Sequence, residues 1–431
     1  MPCRYDLAII GAGAAGLAAA IFSAETQPGL KVVLVDSAKS LGAKILVSGG
    51  GRCNVTNATV TPKDFHAPSR IVERILKRFD EHRTVQWFES MDVSLKQEPT
   101  GKIFPVMNKA RTVLNALLSR CGALGVQIKT NHRVHSVIKR SQCFAVQTTC
   151  GVITARRVIM ATGGKSLPKT GSDGSGWDIV RQLGHTVTAC YPALVPLVLS
   201  DIFFHKTLSG ISHQCAVTTR VQNRVIDRRS GSLLWTHFGV SGPVVMDASR
   251  FWVKAHQAGD GPVLSISFFP EHTFAEVEQW LLPKSRSKNL ASHLSTHLPH
   301  RVAVTLDEYV ADQIAPHSTI SDRSKVTGFP LNELSRQTRR TISHALTDLT
   351  LPVVDSRGWN HAEVTAGGVP LSEINVSTME SRRQPGLYLI GEILDCDGRI
   401  GGFNFQWAWS TGHIAGCHAA KMIEASSTIE T

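Results

Sequence analysis

Several features that would fix the class of a protein at once are missing from this sequence of 431 residues. The nine cysteines are scattered and form no Cys-x-x-Cys pair, so we expect no disulfide framework and favour a reducing, cytoplasmic location. No membrane partner is expected, because the uncharged segment 7–24 is interrupted by Gly11, Gly13 and Gly16. We find no internal repeat, no low-complexity tract and no metal-binding motif, so no metal is predicted.

Acidic residues are few relative to basic ones. There are 34 Asp and Glu against 46 Lys and Arg, which gives a formal net charge of +12. A basic protein attracts phosphates, carboxylates, nucleic acid and acidic lipid. Because the cations are spread along the chain, the charge by itself identifies no partner. The hydrophobic fraction of 42% supports a packed core and excludes a disordered or acidic-tail protein.

The start of the chain has the pattern of a strand, a glycine turn, a helix and a second strand. Residues 5–10 and 31–36 are apolar runs typical of buried parallel strands, with helical character at 17–25 between them. The turn reads Gly-x-Gly-x-x-Gly, in which the glycines allow a tight turn, close approach of a pyrophosphate and close helix–strand packing. The helix N-terminus then offers N–H groups to phosphates. This pattern predicts a dinucleotide-binding unit.

Asp36 ends the second strand, where a carboxylate accepts hydrogen bonds from ribose hydroxyls and repels a 2′-phosphate. The motif alone does not separate NAD from FAD. The sequence holds no second complete fingerprint, and glycine-rich segments far apart in the chain suit one long, extended ligand. FAD is longer than NAD, so we predict FAD as the cofactor. NAD(P)H, where it serves as reductant, is then expected to bind transiently.

Beyond the opening unit, the sequence predicts a mixed α/β protein in which both chain ends form one nucleotide-binding domain. Residues 37–60 are polar and glycine-rich and are predicted as loop. Alternating segments after residue 190 suggest antiparallel strands, and helical spacing increases from 273 to 350. The further predicted helices and strands span 68–90, 109–124 and 405–424, and 126–130, 133–139, 143–148, 152–154 and 156–164, respectively.

Five motifs together resemble one family: VSGGGRCNVTN, ATGGKSLPKTGSDGSG, THFGVSGP, VTAGGV and GEILDCDGRIGGFNFQWAWSTG. They are similar to the bacterial NAD(P)/FAD-dependent oxidoreductases called aminoacetone oxidase family or HI0933-like flavoproteins, over essentially the whole chain. The resemblance implies a glutathione-reductase-like FAD-binding Rossmann domain with an inserted β-barrel-like domain and a small helical domain. The Rossmann domain is expected at 1–190 and 353–431, the barrel-like insert at 191–272 and 325–352, and the helical subdomain at 273–324.

The resemblance also implies which residues contact non-covalently bound FAD, with backbone N–H groups stabilising negative charge on the reduced ring. The expected contacts are Gly11, Gly13, Ala14, Ala15 and Gly16 at the pyrophosphate; Asp36, Ser37 and Val134 at the adenosine; Thr162, Gly163 and Gly164 after a later strand; Lys44, Gly50, Gly51, Arg52, Cys53 and Asn54 on the flavin side; Gly391, Glu392 and Asp395 at the ribityl chain; and Gly402, Phe403, Asn404 and Phe405 at the flavin pyrimidine edge.

Three residues are weak candidates for chemistry, and each has a structural alternative. Cys53 is either a redox-active or acidic thiol or a small packing residue, and we favour packing because no second cysteine is adjacent. Arg52 either binds a phosphate or an anionic substrate or forms a structural ion pair. His237 either donates a proton beside the flavin, since histidine titrates near neutral pH, or is a hydrogen-bonded turn residue.

Two functions from different classes fit these observations. The first is an FAD-dependent oxidoreductase that transfers hydride through the flavin to or from a small organic substrate. The second is a flavin-containing RNA-binding or RNA-modifying protein, which the net charge of +12 favours. The sequence contains no RNA-binding signature and no dense basic stripe, so nucleic acid is the less expected partner.

Overall fold

The computed structural model describes residues 3–282, 289–314 and 331–429. The chain divides into two compact units. The first unit is built from both ends of the chain, up to Pro192 and from Trp359 onward, and the second unit is residues 193–358. The finer division of the insert into a barrel-like and a helical part stays a prediction, and its residues 283–288 and 315–330 lie outside the described residues.

Short apolar runs form the strands, as the period-two and fully buried patterns predict. The strands are β1 (Tyr5–Ile10), β2 (Val32–Val35), β3 (Thr56–Asn57), β4 (Phe65–His66), β5 (Leu95–Gln97), β6 (Lys102–Pro105), β7 (Gln127–Lys129), β8 (Val134–Lys139), β9 (Phe144–Thr148), β10 (Gly151–Met160), β11 (Tyr191–Ala193), β12 (Leu197–Leu199), β13 (Ser212–Val221), β14 (Arg224–Thr236), β15 (Gly239–Ser241), β16 (Val263–Ser267), β17 (Leu349–Leu351), β18 (Val353–Ser356), β19 (Val364–Ala366), β20 (Ile374–Asn375), β21 (Glu380–Ser381), β22 (Leu387–Leu389) and β23 (Asp397–Gly398).

The helices of the described residues carry one apolar face or, in the first unit, are buried nearly all round. They are α1 (Ala14–Thr26), α2 (Ala43–Gly51), α3 (Ser69–Leu76), α4 (Glu81–Glu89), α5 (Ala110–Ala123), α6 (Ser175–Gln182), α7 (Pro243–Gln257), α8 (Phe274–Trp280), α9 (Leu290–Leu294), α10 (His300–Ile314), α11 (Arg336–Thr347) and α12 (Phe403–Ile429).

One sheet organises the first unit. Its strand order is β20-β21-β22-β10-β1-β2-β7, and the β8–β9 hairpin extends it by pairing with the first half of β10. β1 runs parallel to both β2 and β10, and β10 runs parallel to β22. The carboxyl ends of β1, β10 and β22 therefore meet at one edge of the sheet, where open α/β folds bind their ligands. The segments after these ends, residues 11–16, 161–164 and 390–392, are called the cradle below.

Helix α12 packs against α1 at very short range. A Cβ atom at Gly412 would lie 2.8 Å from the carbonyl oxygen of Ala15, and one at Gly416 would lie 2.6 Å from that of Ala19. Small residues on both helices therefore let the two backbones touch. This contact fixes α12 beside α1, so the packing of the last helix determines how the first helix meets the cradle.

The second unit contains a seven-stranded antiparallel sheet in the order β17-β16-β13-β14-β15-β12-β18. The long β13–β14 hairpin is its centre, and α7 packs against both strands of this hairpin. Helices α8 to α11 belong to the same unit. The antiparallel strands predicted after residue 190 are thus present.

The structure differs from the sequence predictions at three places. Residues 152–154 and 156–164 belong to one long strand, β10, because its two halves pair with different neighbours. The segment 37–60 contains helix α2 as well as loop. One disulfide joins Cys3 to Cys143, two cysteines too far apart in the sequence for their pairing to be inferred from spacing.

No helix in the described part of the chain is long and apolar enough to cross a membrane. Within the same residues, no group of three or more His, Cys, Asp or Glu side chains is arranged to hold a metal ion.

A half-buried histidine, His413, lies where α12 meets α1 and the segment after α3. The His413 ring stacks on Phe79 at 4.8 Å between centroids and meets the edge of Phe22 at 4.7 Å. Burial is the largest cause that lowers the pKa of His413 to about 4, and the nearby cations Arg83, Arg78 and Lys421 contribute to the same shift. His413 is therefore neutral in the folded protein at physiological pH.

Acidification is expected to destabilise the fold through His413. Unfolded histidine titrates near pH 6.5, whereas folded His413 stays neutral until about pH 4. Below pH 6.5 the unfolded chain thus binds a proton that the folded chain does not, and the free energy of unfolding falls with the pH. Between pH 7.5 and 5, the free energy of unfolding of His413→Phe should fall by about 2 kcal/mol less than that of the unchanged protein, as measured by urea titration at each pH. Equal losses would contradict this assignment.

Candidate cofactor site

The N-terminus of α1 faces open space at the cradle. Its cap residue, Gly13, has extended backbone, and no side chain of the described residues caps the helix. A Cβ atom at Gly13 would meet no described atom within 4 Å. The first helical turn, which begins at Ala14 and Ala15, carries no acidic residue. Free N–H groups and the positive end of the helix dipole therefore point into open space, which suits an anion such as a diphosphate.

The other two glycines of the motif make the turn possible. Gly11 has a φ of +104°, and a Cβ atom there would lie 2.4 Å from the carbonyl oxygen of Ala161. A Cβ atom at Gly16 would lie 1.9 Å from the carbonyl oxygen of Gly11. Larger residues at either position would break the contact of α1 with β1 and β10. These are the turn and packing roles that the motif predicts.

Asp36 lies directly beside this turn. Its Oδ2 accepts a hydrogen bond from the Ala12 backbone N–H at 2.7 Å, and its Oδ1 accepts one from the Ala38 N–H at 2.8 Å. Each carboxylate oxygen keeps lone-pair capacity for a ribose hydroxyl. Ser37 follows in the sequence, and Val134 is buried at the start of β8, the strand whose hairpin extends the sheet. The positions expected at the adenosine end are thus carried by the sheet of the first unit.

Lys44 and Glu392 form the strongest polar cluster near the cradle. The Lys44 ammonium donates to Glu392 Oε2 at 2.5 Å and to Ser166 Oγ at 2.6 Å. Glu392 Oε1 also accepts from Ser166 Oγ at 2.8 Å and from the Thr365 backbone N–H at 2.7 Å. The pair is only partly exposed. This network joins the first turn of α2 to the segment after β22 and holds the Glu392 carboxylate in one orientation.

Asp395, the second acid expected at the ribityl chain, has a different environment. Its Oδ2 accepts a hydrogen bond from the Thr188 hydroxyl at 3.1 Å, and its backbone N–H donates to Val369. Gly391 begins the same segment, and its N–H donates to the Thr411 hydroxyl of α12 at 3.1 Å. Of the two acids, Glu392 is the one tied to Lys44.

Two buried hydroxyl groups near Gly163 lack a hydrogen-bond partner among the described residues. They belong to Thr162 and Ser172. A Cβ atom at Gly163 would lie 2.8 Å from Ser172 Oγ, and one at Gly164 would lie 2.4 Å from Thr365 Oγ1. Buried polar groups normally have partners, so unsatisfied hydroxyls at this edge fit the polar atoms of a bound ligand.

Sequence analysis missed Ser166, Ser172 and Thr365. The first two lie inside the quoted motif ATGGKSLPKTGSDGSG and the third inside VTAGGV. The motifs mark the segments, but no spacing rule selects which hydroxyl faces the cradle.

The glycine-rich loop on the flavin side folds back on itself. Gly50 and Gly51 have φ values of +68° and +83°, which end α2 in left-handed backbone. The Arg52 guanidinium forms an ion pair with Glu98 at 2.6 Å and lies 4.0 Å from the centre of the Phe104 ring. These contacts favour the structural interpretation of Arg52.

Two further residues of this loop are buried. Asn54 Oδ1 accepts a hydrogen bond from the Ile103 backbone N–H at 3.1 Å. The Cys53 side chain is fully buried, and this burial raises the pKa of its thiol to about 12. A thiol with that pKa stays protonated and unreactive, which favours packing over redox chemistry.

Cys53→Ala is expected to leave the chemistry intact. The substitution removes one buried sulfur atom and is expected to cost about 1 kcal/mol of unfolding free energy. Flavin content and turnover at saturating substrate should match those of the unchanged protein. Retained flavin with lost turnover would show that the thiol takes part in catalysis.

Helix α12 begins beside strand β3. Gly402 precedes it with a φ of +94°, and a Cβ atom there would lie 2.6 Å from the carbonyl oxygen of Thr56. Phe403 is buried, and the Phe405 ring stacks on that of Trp409 at 5.6 Å between centroids.

The Asn404 side chain is already paired with backbone. It accepts from the Gly398 N–H and donates to the Gly398 carbonyl, both at 2.8 Å. The contribution expected from residues 402–405 therefore comes from the backbone N–H groups that open a helix without an acidic first turn.

His237 lies in the second unit, in the turn between β14 and β15. Its side chain is exposed and meets the edge of the Phe238 ring at 5.1 Å between centroids. His237 belongs to the second unit, whereas the cradle belongs to the first. Its role as a proton donor therefore stays a prediction.

Fold and site together define a class. A Rossmann-type parallel sheet, an uncapped helix at the glycine turn and a carboxylate held beside that turn are the features of a dinucleotide-binding protein.

The chain belongs to the HI0933-like family, since the sequence profile described as "HI0933-like protein Rossmann domain" matches residues 5–418. This confirms the resemblance inferred from the motifs, and with it the fold class and FAD as cofactor.

Two curated relatives match the chain over nearly its full length. One is the 3-dehydro-bile acid delta(4,6)-reductase of Clostridium scindens, 32% identical over 96% of this chain and 99% of the relative. Another is the ribosomal RNA dihydrouridine synthase of Escherichia coli, 31% identical over 99% of this chain and 100% of the relative. Among solved structures, the 3-ketosteroid-delta4-(5alpha)-dehydrogenase of Rhodococcus jostii matches with a TM-score of 0.51 and 16% identity, covering 97% of this chain and 98% of that one. The likeness to the Rhodococcus jostii structure concerns the fold alone. The family match and the reductase relative identify the protein as an FAD-dependent oxidoreductase.

Proposed function

We propose that the protein is a reductase that saturates a carbon–carbon double bond conjugated to a carbonyl group, with NAD(P)H as its reductant in the cytoplasm. The observation that carries this proposal is the full-length likeness to two relatives whose names describe the same kind of chemistry. A bile-acid delta(4,6)-reductase and a dihydrouridine synthase both add two hydrogens across such a bond. The shared element is the reaction, whereas the two substrates differ completely in size and charge.

The reaction balances with one hydride and one proton. Bound FAD supplies the chemistry of accepting a hydride from NAD(P)H and delivering it to the substrate carbon β to the carbonyl. The α carbon takes a proton, NAD(P)H becomes NAD(P)⁺, and the carbonyl polarises the double bond.

The chain's own residues would place the cofactor for this reaction. The α1 N-terminus would bind the diphosphate and Asp36 the ribose. Glu392, oriented by Lys44, would meet the ribityl chain, and the first N–H groups of α12 would stabilise charge at the pyrimidine edge.

A second candidate concerns the substrate. Uridine carries a double bond conjugated to a ring carbonyl, and the relative from Escherichia coli is named for its action on ribosomal RNA. The net charge of +12 favours a polyanionic substrate over a small neutral or acidic one. We therefore propose uridine in RNA as the alternative substrate class.

An anaerobic reduction experiment tests the proposed function. The purified yellow protein is mixed with NADH or NADPH without oxygen, and the flavin absorbance near 450 nm is expected to bleach. Adding a 3-oxo-Δ4 steroid or a uridine-containing RNA should then restore the yellow colour, and the saturated product should be seen by mass spectrometry. Reoxidation by neither acceptor would contradict the proposal, as would a flavin that neither nucleotide reduces.

A further inference from the structure

Three exposed cations converge on one surface of the first unit. Arg78 follows α3, Arg83 lies in the first turn of α4, and Lys421 lies near the end of α12. The Arg83 guanidinium donates to the Arg78 carbonyl oxygen at 2.8 Å. The His413 ring of α12 stacks on Phe79, the residue after Arg78, and Lys421 lies about two turns further along α12. All three cations also contribute to the lowered pKa of His413. The segment 78–83 and the end of α12 thus build one positive surface.

None of these three cations forms an ion pair with a carboxylate of the described residues. Two of the neighbouring acids are engaged elsewhere. Glu73 pairs with Lys77 at 2.7 Å, and Asp80 accepts the Arg83 backbone N–H at 2.9 Å as the cap of α4.

Two more arginines extend this surface along α3. Arg70 and Arg74 are exposed on the helix face that leads to Arg78, and the Arg74 guanidinium donates to the Ser377 hydroxyl at 3.1 Å. Within residues 3–282, 289–314 and 331–429, neither forms an ion pair. The five cations, Arg70, Arg74, Arg78, Arg83 and Lys421, are called the basic patch below.

The basic patch differs from an ordinary solvated helix face. On such a face, acids and bases alternate at i and i+4 and stabilise the helix, as Glu73 and Lys77 do. Clustered like charges instead repel one another and destabilise the folded state until an anion neutralises them. A row of unpaired cations across three elements therefore suits a ligand with several negative charges.

We propose that the basic patch binds the phosphate backbone of RNA. The proposal rests on the alternative substrate class above, uridine in RNA. Lys421 lies about 27 Å along α12 from Phe403, the helix start proposed to face the flavin, at 1.5 Å per residue. The patch would therefore hold the backbone several nucleotides away from the reacting base. Phosphate contacts position the substrate in this way without reading its sequence.

A membrane surface fits the patch less well. Helices that bind a lipid surface carry large apolar side chains beside their cations. The exposed positions of α3 and α4 carry Ser, Arg, Glu, His and Gln side chains. Of the exposed large apolar residues in the described part of the chain, Met422 alone lies beside the patch. The charge is therefore present without an apolar anchor.

Matched variants separate the patch from the net charge. The patch variant is R78Q/R83Q/K421Q, and the control is K31Q/R140Q/K254Q, which removes the same number of charges at exposed positions elsewhere. Binding of a fluorescein-labelled 20-nucleotide, uridine-containing single-stranded RNA is measured by anisotropy at several KCl concentrations, using the FAD-loaded full chain. At 100 mM KCl we expect the patch variant to bind at least tenfold more weakly. Its slope of log K against log salt should fall by about 2, since each lost single-strand phosphate contact contributes about 0.7.

The control variant should bind RNA within threefold of the unchanged protein. Equal weakening of both triple variants, or unchanged binding by the patch variant, would overturn the proposal. Binding to phosphatidylglycerol vesicles in place of RNA would overturn it as well.

Steroid reduction by the same preparations distinguishes the patch from the proposed function. Both variants should reduce the 3-oxo-Δ4 steroid as the unchanged protein does, because no patch residue touches the cradle. RNA binding that depends on the patch, in a protein that reduces neither acceptor, would contradict the proposed reaction and leave the patch supported. Reduction of the steroid without RNA binding would contradict the patch alone.

Discussion

Gly13→Val is expected to give a folded protein without FAD. The Gly13 Cβ position meets no described atom within 4 Å, and its backbone is extended, so valine fits the protein itself. The new side chain would occupy the space in which the diphosphate is expected to approach the α1 N–H groups. We expect FAD affinity to fall at least about 100-fold, which corresponds to about 2.7 kcal/mol. Absorbance at 450 nm per protein measures the bound flavin, and circular dichroism measures whether the protein is folded.

Gly122→Val is the matched control for this substitution. Gly122 lies in α5, is exposed, and its Cβ position likewise meets no described atom within 4 Å. This variant should retain full flavin content. If Gly13→Val bound FAD as tightly as Gly122→Val, the diphosphate would not lie at the α1 N-terminus.

Gly416→Leu is expected to destabilise the first unit severely. Its Cβ atom would lie 2.6 Å from the backbone carbonyl of Ala19, and a backbone atom cannot move aside as a flexible side chain does. The substitution would push α12 away from α1, at a cost of about 3 kcal/mol or more. Urea unfolding followed by tryptophan fluorescence should show a lower midpoint, and flavin should be lost because α1, which begins at the cradle, would be displaced.

Gly122→Leu tests whether the position of the new leucine decides the outcome. Leucine favours helix over glycine, so this variant should be as stable as the unchanged protein or slightly more so. A Gly416→Leu protein with an unchanged unfolding midpoint would show that α1 and α12 do not touch as described.

Local rules predicted the opening of the fold well. The strand, turn and helix at residues 5–26 follow from apolar run length and glycine spacing, both properties of adjacent residues. The same rules divided β10 into two strands, because they cannot show that one strand changes partners along its length. The Cys3–Cys143 disulfide was missed for a related reason: it depends on how distant segments lie in the sheet.

The polar network of the site could not be predicted from spacing. Lys44 and Glu392 are 348 positions apart, and Ser166 and Thr365 join them only after β10 and β22 have aligned their carboxyl ends. The motif resemblance named Lys44 and Glu392 separately but not as a pair. The basic patch was not predicted either. Four of its cations lie within residues 70–83, where Glu73, Asp80 and Glu81 intervene, and only the fold brings Lys421 to them.

Titration of the apoprotein with FAD and with FMN tests the central claim most directly. FMN carries the same flavin and ribityl chain but lacks the adenosine and the diphosphate bridge, which we assign to the α1 N-terminus and Asp36. We predict that calorimetry will show FAD binding at least about 100-fold more tightly than FMN, a difference of about 2.7 kcal/mol, and that ADP will compete with FAD. Equal affinities for FAD and FMN, without competition by ADP, would contradict the account.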